Sequence, residues 1–123
     1  MSVVTSQPGK EVGVGRLCEN HQVTKYIAAH VGTSAAAQHD YFSGAMKVEF
    51  TPMGTVVERL HAAGAGLGAV LTPTGVGTIL EDEHEKVTRN GKEYLIYDPL
   101  KIDVALIKAT KADKYGNLYL DVT

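Results

Sequence analysis

Short apolar runs alternate with helix-like segments over the first two thirds of the chain. Residues 24–31 form an apolar run that predicts a strand. Residues 47–51 alternate polar and apolar side chains, as a strand exposed on one face does. The apolar residues 3–5 are too short to predict a strand firmly, and Pro8-Gly9 predicts a turn after them. Strands separated by helical segments favour a parallel α/β sheet.

The predicted helices lie between these strands and carry recognisable end signals. Residues 15–21 read as a short helix with Leu17 and Cys18 facing inward. Ser34 is a suitable N-cap for a helix that runs to about residue 42, before Gly44. Thr55, with Glu58 three residues later, predicts a capping box for a helix over residues 56–63. Gly64 is placed to end that helix.

The remainder of the chain is predicted to be richer in β structure. Residues 64–78 contain so many glycines that a flexible loop is expected, and residues 79–87 begin strand-like before they turn acidic. Asn90-Gly91 is a strong hairpin signal between residues 86–88 and 93–97. Residues 103–109 are expected to form a buried strand. A turn over residues 115–117 then leads into a last strand over residues 118–122.

These elements predict a single α/β domain over residues 1–123: a partial parallel sheet with short helices, followed by a β-hairpin region. The chain is expected to start and stop in mid-fold, as a truncated domain. A parallel sheet is normally covered on both faces. Because few long helices are predicted, we expect other segments or another chain to supply part of that cover.

Composition and charge narrow the function classes. A net charge of −2 and a pI near 6.2 do not suggest nucleic acid or an anionic membrane as a partner. No apolar run approaches the roughly 20 residues of a membrane helix, and the first residues do not resemble a signal peptide. The single cysteine, Cys18, excludes an internal disulfide. It is expected to be a buried structural thiol in a reducing cytosolic protein.

The segment from residue 51 to residue 78 is the first candidate for chemistry. A strand that leads through Pro52-Met53-Gly54 into a helix places backbone N–H groups at the carboxyl end of a sheet, where α/β folds bind ligands. Helix amino ends favour anions. Two alternatives stay open at this point: a tight turn with a glycine-lined chain crossing, which binds nothing, and a phosphate-binding or sugar-phosphate-binding enzyme.

The other chemically active side chains form no clear motif. The histidines have no zinc-motif spacing, and each is expected at or near the surface, although His30 ends a predicted strand: His21, His30, His39, His61 and His84. The acidic run is expected to be a solvated hairpin arm: Glu81, Asp82, Glu83 and Glu85. Glu49 is expected to be a surface residue. The residues alone therefore predict no catalytic nucleophile and no metal site.

Several segments together resemble one enzyme family. Residues 48–60, VEFTPMGTVVERL, are similar to the pattern VE-hydrophobic-x-PQGT-LxER of the α subunits of class I CoA-transferases. Residues 63–68 (AGAGLG) and 71–78 (LTPTGVGT) resemble the glycine-rich part that follows it. Further similar segments lie, in the same order, at residues 13–17, 29–32, 90–95, 103–109, 111–114 and 116–118. The resemblance covers nearly the whole chain.

The resemblance implies an activity and partners. Enzymes of this family move CoA between a short-chain acyl-CoA and a carboxylic acid, such as acetate, acetoacetate or butyrate, through a glutamyl-CoA thioester. The nucleophilic glutamate is expected in a β subunit, so no catalytic residue is expected here. The α half is expected to form a pocket wall and part of the oxyanion environment. CoA is implied as a substrate, no cofactor or metal is implied, and the implied assembly is an oligomer with a β subunit.

The departures from the family pattern define the candidate site. Met53 stands where the family has a glutamine associated with the oxyanion, and a thioether cannot donate a hydrogen bond. The resemblance places the pocket positions at Met53, Gly54, His30, Leu71 and Gly75. Leucine at position 71 replaces a common tyrosine, which favours a short alkyl acyl group such as butyryl. The chain is expected to span about the middle half of an α subunit. A catalytically inactive assembly or binding module of the same fold is the alternative.

Overall fold

A parallel sheet forms the first part of the fold in the computed structural model, which describes residues 1–5 and 13–121. Its strands are β1 (Ser2–Val4), β2 (Lys25–Ala28) and β3 (Lys47–Phe50), paired in that order. The register aligns Val3 with Tyr26 and Tyr26 with Val48. The predicted parallel α/β sheet is confirmed, and residues 3–4 belong to a strand. The turn predicted at Pro8-Gly9 lies outside the described residues.

Two short helices cover one face of this sheet. They are α1 (Val14–Glu19) and α2 (Ala35–Phe42), and the Ser34 hydroxyl caps α2 by accepting a hydrogen bond from the Ala37 N–H at 3.2 Å. Burial of apolar surface between helices and sheet stabilises this layer. Its core consists of side chains from both layers: Cys18, Val23, Tyr26, Ala28, Val31, Ala37 and Met46. The predictions of the Ser34 cap and of a buried Cys18 are confirmed.

The third helix, α3 (Met53–Ala65), begins earlier and ends later than the sequence suggested. Pro52 is its N-cap and provides no side-chain hydrogen bond, whereas Thr55 is buried within the first turn, so the predicted capping box is wrong. The helix begins directly after Pro52 because that residue fixes φ near −65° and has no N–H to satisfy. It ends at Gly66, in the left-handed region with φ 70°, rather than at Gly64.

An antiparallel sheet follows α3. Its order is β4 (Val70–Thr72), β6 (Lys92–Tyr97) and β5 (Lys86–Arg89). Asn90 and Gly91 join β5 to β6 with φ values of 51° and 73°, the two positive values of a type I′ turn, so the hairpin prediction is confirmed. The prediction that residues 64–78 lack regular structure is wrong because β4 lies within them.

The acidic segment before β5 is a short 3₁₀ helix, Ile79–Glu83, and not the strand-like segment that the sequence suggested. The Thr78 hydroxyl caps this helix by accepting a hydrogen bond from the Leu80 N–H at 3.3 Å. A second acceptor is the carboxylate of Glu81, which receives the Gly77 N–H at 2.6 Å. Local side-chain acceptors therefore select a helical turn over an extended conformation.

The last part of the described chain lies mostly exposed. Residues 101–109 have no strand structure, and Leu106 is 92% exposed, so the prediction of a buried strand is wrong. A strand needs neighbours for its backbone groups, and none of the strands within residues 1–5 and 13–121 pairs with this segment. A small hairpin follows, with β7 (Lys111–Ala112) and β8 (Leu118–Tyr119). Gly116, with φ 88°, confirms the predicted turn, and residues 122–123 lie outside the description.

Candidate functional site

Three of the five candidate positions follow the carboxyl ends of two adjacent parallel strands. β3 ends at Phe50, and Met53 and Gly54 open α3 just beyond it. β2 ends at Ala28, two residues before His30. Since parallel neighbours end at the same edge of a sheet, these residues lie along the edge where α/β folds place their ligands.

The amino end of α3 is open to an acceptor. Its first backbone hydrogen bond runs from the Val56 N–H to the Pro52 carbonyl at 3.0 Å. The N–H groups of the preceding helical residues have no partner further back in the helix, and no side chain caps this end. Met53 is 58% exposed, and a Cβ added at Gly54 would meet no other atom within 4 Å. An anion or a developing oxyanion could therefore approach this backbone.

His30 is exposed at the same edge, and its ring orientation is set by the chain that follows it. Its Nδ1 accepts a hydrogen bond from the Gly32 N–H at 3.2 Å. A neutral imidazole that accepts at Nδ1 carries its proton on Nε2. This contact consequently selects the tautomer in which Nε2 is the hydrogen-bond donor of the ring.

The two remaining candidates, Leu71 and Gly75, belong to the antiparallel sheet and its loop. Leu71 lies in β4 and is 44% exposed, which leaves part of its side chain available to a ligand. Gly75 has φ 99°, and an added Cβ would lie 3.0 Å from Cδ1 of Leu95 and 3.4 Å from Leu80. The structure therefore gives Gly75 a packing role. The assignment of all five positions to a substrate pocket stays a prediction.

The glycine-rich loop that carries Gly75 is ordered by hydroxyl groups. The Thr72 hydroxyl accepts a hydrogen bond from the Thr74 N–H at 3.2 Å, and the Thr78 hydroxyl donates to the Gly75 carbonyl at 2.7 Å. The backbone adds a bond from the Thr78 N–H to the same carbonyl at 3.1 Å. Threonines thus hold the loop, and glycine at positions 75 and 77 allows positive φ.

A charged cluster on the sheet was not anticipated from the sequence. Glu49 accepts a hydrogen bond from Nη1 of Arg59 at 2.5 Å and pairs with Nζ of Lys25 at 2.8 Å. Arg59, buried on α3, also donates from Nε to the Asp98 carbonyl at 2.8 Å. Burial raises the pKa of the Glu49 carboxyl, but the hydrogen bonds from Lys25 and Arg59 outweigh it and leave the pKa below its ordinary value.

This cluster corrects two expectations about carboxylates. Glu49 is not a surface residue but the shared partner of two cations, with 23% of its side chain exposed. Glu58 does not cap α3, since its carboxylate lies on the surface, 3.6 Å from Nδ1 of His61. Glu49 and Arg59 both occur in the motif at residues 48–60, but their spacing alone could not show that strand and helix bring them together. They line a polar cavity of about 550 Å³ between the parallel sheet and β6.

The buried thiol offers no nucleophile. Cys18 is fully buried, and burial, helped by the carboxylates of Asp40 and Glu19, raises the pKa of its thiol. Within residues 1–5 and 13–121, no group of three or more His, Cys, Asp or Glu side chains could hold a metal ion. Among the same residues, no helix is both long and apolar enough to cross a membrane.

Curated relatives of this chain are parts of CoA-transferases. The chain is 46% identical over 107 residues to the acetoacetyl-CoA:acetate/butyrate CoA transferase alpha subunit of Clostridium acetobutylicum, covering 87% of this chain and 49% of that protein. It is 44% identical over 108 residues to the alpha subunit of the acetate CoA-transferase of Escherichia coli K12, covering 88% and 49%. The corresponding chain of the succinyl-CoA:3-ketoacid coenzyme A transferase of Xanthomonas campestris is 41% identical over 119 residues, covering 96% and 49%.

Solved structures agree in fold. The acyl-CoA transferase of E. coli O157:H7, in a thioester complex with CoA, superposes with a TM-score of 0.83 over 97% of this chain and 28% of that chain, at 22% identity. The apoenzyme gives 0.84. The chain thus has the fold of these enzymes and spans about half the length of the curated relatives it matches. Because the sequence profile described as Coenzyme A transferase also matches residues 1–123, the chain belongs to the coenzyme A transferase family.

Proposed function

We propose that this chain forms part of the α subunit of a short-chain acyl-CoA:carboxylate CoA-transferase. The observation that supports this most strongly is the similarity, over most of the chain, to relatives named as α subunits of such enzymes. The nucleophile would be a glutamate of a β subunit. Its carboxylate would carry CoA as a thioester between the two carboxylic acids, so that CoA is a substrate and no further cofactor takes part.

The contribution of this chain to the reaction would come from the amino end of α3. Attack on a thioester or on a carboxyl derivative develops negative charge on the carbonyl oxygen. Backbone N–H groups that lack a partner within the helix can stabilise that charge without reorganising. The exposed Met53 and the unobstructed Gly54 leave room for the carbonyl to approach. We expect the β-subunit glutamate to face this edge.

Two apolar side chains suggest the acyl preference. Met53 is 58% exposed and Leu71 is 44% exposed, and neither can donate a hydrogen bond to a polar acyl chain. If both line the pocket, a short alkyl chain such as butyryl is preferred over a dicarboxylic acid. Competition between butyryl-CoA and succinyl-CoA in a reconstituted enzyme tests this preference, and equal or faster turnover of the dicarboxylic acid contradicts it.

A catalytically inactive assembly module is the second candidate function. The observation that favours it is Met53, because the family pattern has glutamine there and the loss of one oxyanion donor costs roughly 100- to 1,000-fold in rate. Such a module would pair with related subunits through the same fold. It would differ from the enzyme component only in the rate of CoA transfer by the assembled complex.

Substitution of Met53 in the complex with a β subunit separates the two candidates. Met53→Gln restores a donor at the amino end of α3, and Val57→Gln is the matched control because Val57 is also an exposed apolar residue of that helix. An active wild-type complex supports the enzyme component. An inactive wild type that gains at least about 10-fold only in Met53→Gln supports a decayed site. No transfer by any of the three complexes contradicts the proposed activity.

The requirement for a partner has its own test. We expect the purified chain alone to give no CoA transfer, because the glutamate nucleophile is assigned to the β subunit. Transfer by the isolated chain contradicts this assignment. A cytosolic location and the absence of nucleic-acid and membrane partners belong to the same proposal, and fractionation of cells that express the full-length protein tests the location.

A further inference from the structure

The polar cavity between the parallel sheet and β6 has an unbalanced set of charges. Four carboxylates and two cations line it, and both cations, Lys25 and Arg59, are already paired with Glu49. The other three carboxylates belong to Glu83, Glu85 and Asp98. Within the described part of the chain, no salt bridge reaches any of these three, although all lie at the cavity and are exposed. The cavity therefore offers unpaired negative charge and no unpaired cation.

Buried polar atoms beside the carboxylates also lack partners. Tyr97 is 1% exposed, it lines the cavity, and its hydroxyl has no hydrogen-bond partner in the described residues. The same holds for Nε2 of His84, whose ring centroid lies 4.0 Å from that of Tyr97. Most buried polar groups in folded proteins are hydrogen-bonded, and exceptions call for an explanation. Two neighbouring exceptions in one cavity wall point to a group that enters the cavity.

The electrostatic surroundings of the Tyr97 hydroxyl agree with its position at the cavity. Burial raises the pKa of this hydroxyl. The charge of Arg59 opposes the rise, and the carboxylates of Glu49 and Glu83 add to it. All three charged residues line the cavity. The hydroxyl consequently stays protonated at neutral pH, and its oxygen remains free to accept a hydrogen bond.

We propose that this cavity binds a cationic nitrogen group, a guanidinium or a primary ammonium, between the rim carboxylates and the unpartnered Tyr97 hydroxyl. The carboxylates supply acceptors and negative charge, and the phenol oxygen supplies a further acceptor. A compact metal ion does not fit, since the acidic side chains among the described residues do not converge on one point. An anion such as CoA is disfavoured by the unpaired carboxylates. A planar, multiply donating cation matches acceptors that are spread around an open cavity.

The cavity lies away from the candidate CoA site. Lys25 is the first residue of β2, so the cavity reaches the amino end of that strand, whereas Met53 and His30 follow carboxyl ends. The cation could come from a free small amine or from a basic side chain of a partner protein. Both sources share the same chemistry, and the test below distinguishes them.

Saturation-transfer NMR on the 123-residue chain tests the site with methylguanidinium, and the neutral isostere methylurea is the reference ligand. We expect saturable binding of methylguanidinium and none of methylurea. The variant Glu85→Gln/Asp98→Asn should bind about 3- to 10-fold more weakly. Glu58→Gln, which removes an exposed carboxylate of α3 outside the cavity, should bind like the wild type. Tyr97→Phe should also weaken binding without lowering the melting temperature, because it removes an unsatisfied buried group.

The outcomes separate cleanly. Equal binding of methylurea, no saturable binding, or equal loss in Glu58→Gln overturns the proposal. Repeating the titration on the complex with the β subunit then identifies the source of the cation. Binding that persists in the complex indicates a free amine. Binding that disappears, together with a weaker complex in Glu85→Gln/Asp98→Asn, indicates a basic side chain of the partner.

Discussion

Replacing Gly75 by alanine should destabilise the chain through a single steric contact that the structure defines. Gly75 has φ 99°, a conformation that costs an L-residue about 1–2 kcal/mol. The new Cβ would also lie 3.0 Å from Cδ1 of Leu95, a fully buried side chain that cannot move aside freely. Overpacking of a core typically costs about 1–3 kcal/mol. We therefore expect a total loss of about 2–5 kcal/mol in the free energy of unfolding.

Gly77 provides the matched control in the same loop. Its φ is 77°, but an added Cβ meets no atom within 4 Å, so Gly77→Ala should lose only the backbone part, about 1–2 kcal/mol. Urea denaturation followed by circular dichroism measures both variants. In a Leu95→Ala background the penalty of Gly75→Ala should fall to that of Gly77→Ala, as coupled neighbours require. Equal losses in the two single variants would refute the packing role of Gly75.

Three further variants test the rest of the structure. His21, followed by burial and His39, determines the pKa of the buried Asp40 carboxyl and leaves it below its ordinary value. Its stabilisation is therefore present at neutral pH and is lost as pH falls from about 4 through the lowered pKa, so Asp40→Asn should cost about 1 kcal/mol at pH 7 and flatten the acid limb of a stability–pH curve. Arg59→Leu should cost about 2–4 kcal/mol in urea denaturation because it strands Glu49, whereas Arg16→Leu, at an exposed arginine, should stay within about 0.5 kcal/mol; similar losses would contradict the buried ion pair. Leu106→Asp should also stay within about 0.5 kcal/mol, since Leu106 is 92% exposed, and a loss above about 1.5 kcal/mol would show that this segment packs in solution.

Local sequence signals predicted the elements that are stabilised locally. The Asn90-Gly91 turn was predicted because the type I′ conformation requires positive φ at both residues, and few residue pairs provide that. The Ser34 cap was predicted because a hydroxyl three residues before an unpaired N–H is sufficient to satisfy it. By contrast, Thr55 has the same signal, but its side chain is buried against the fold and caps nothing.

The candidate site was predictable only through resemblance to a family. Residues 48–60 placed Met53 and Gly54 at a strand–helix junction, and the structure has that junction. No spacing rule could place Leu71 and Gly75 in a separate antiparallel sheet, because that depends on how β4 pairs with β6. The packing of Gly75 against Leu95 is likewise a contact between residues 20 positions apart in the sequence.

The sequence by itself determined the family, the parallel sheet with its short helices, the buried thiol and the type I′ hairpin. These follow from short-range periodicity, turn chemistry and a motif order that the chain carries without reference to its fold. Tertiary structure alone decided that Glu49 pairs with Arg59 and Lys25, and that the Tyr97 hydroxyl has no partner among the described residues. It also left residues 101–109 exposed. The reason is physical: burial and ion pairing depend on which distant segments meet, and local sequence patterns do not contain that information.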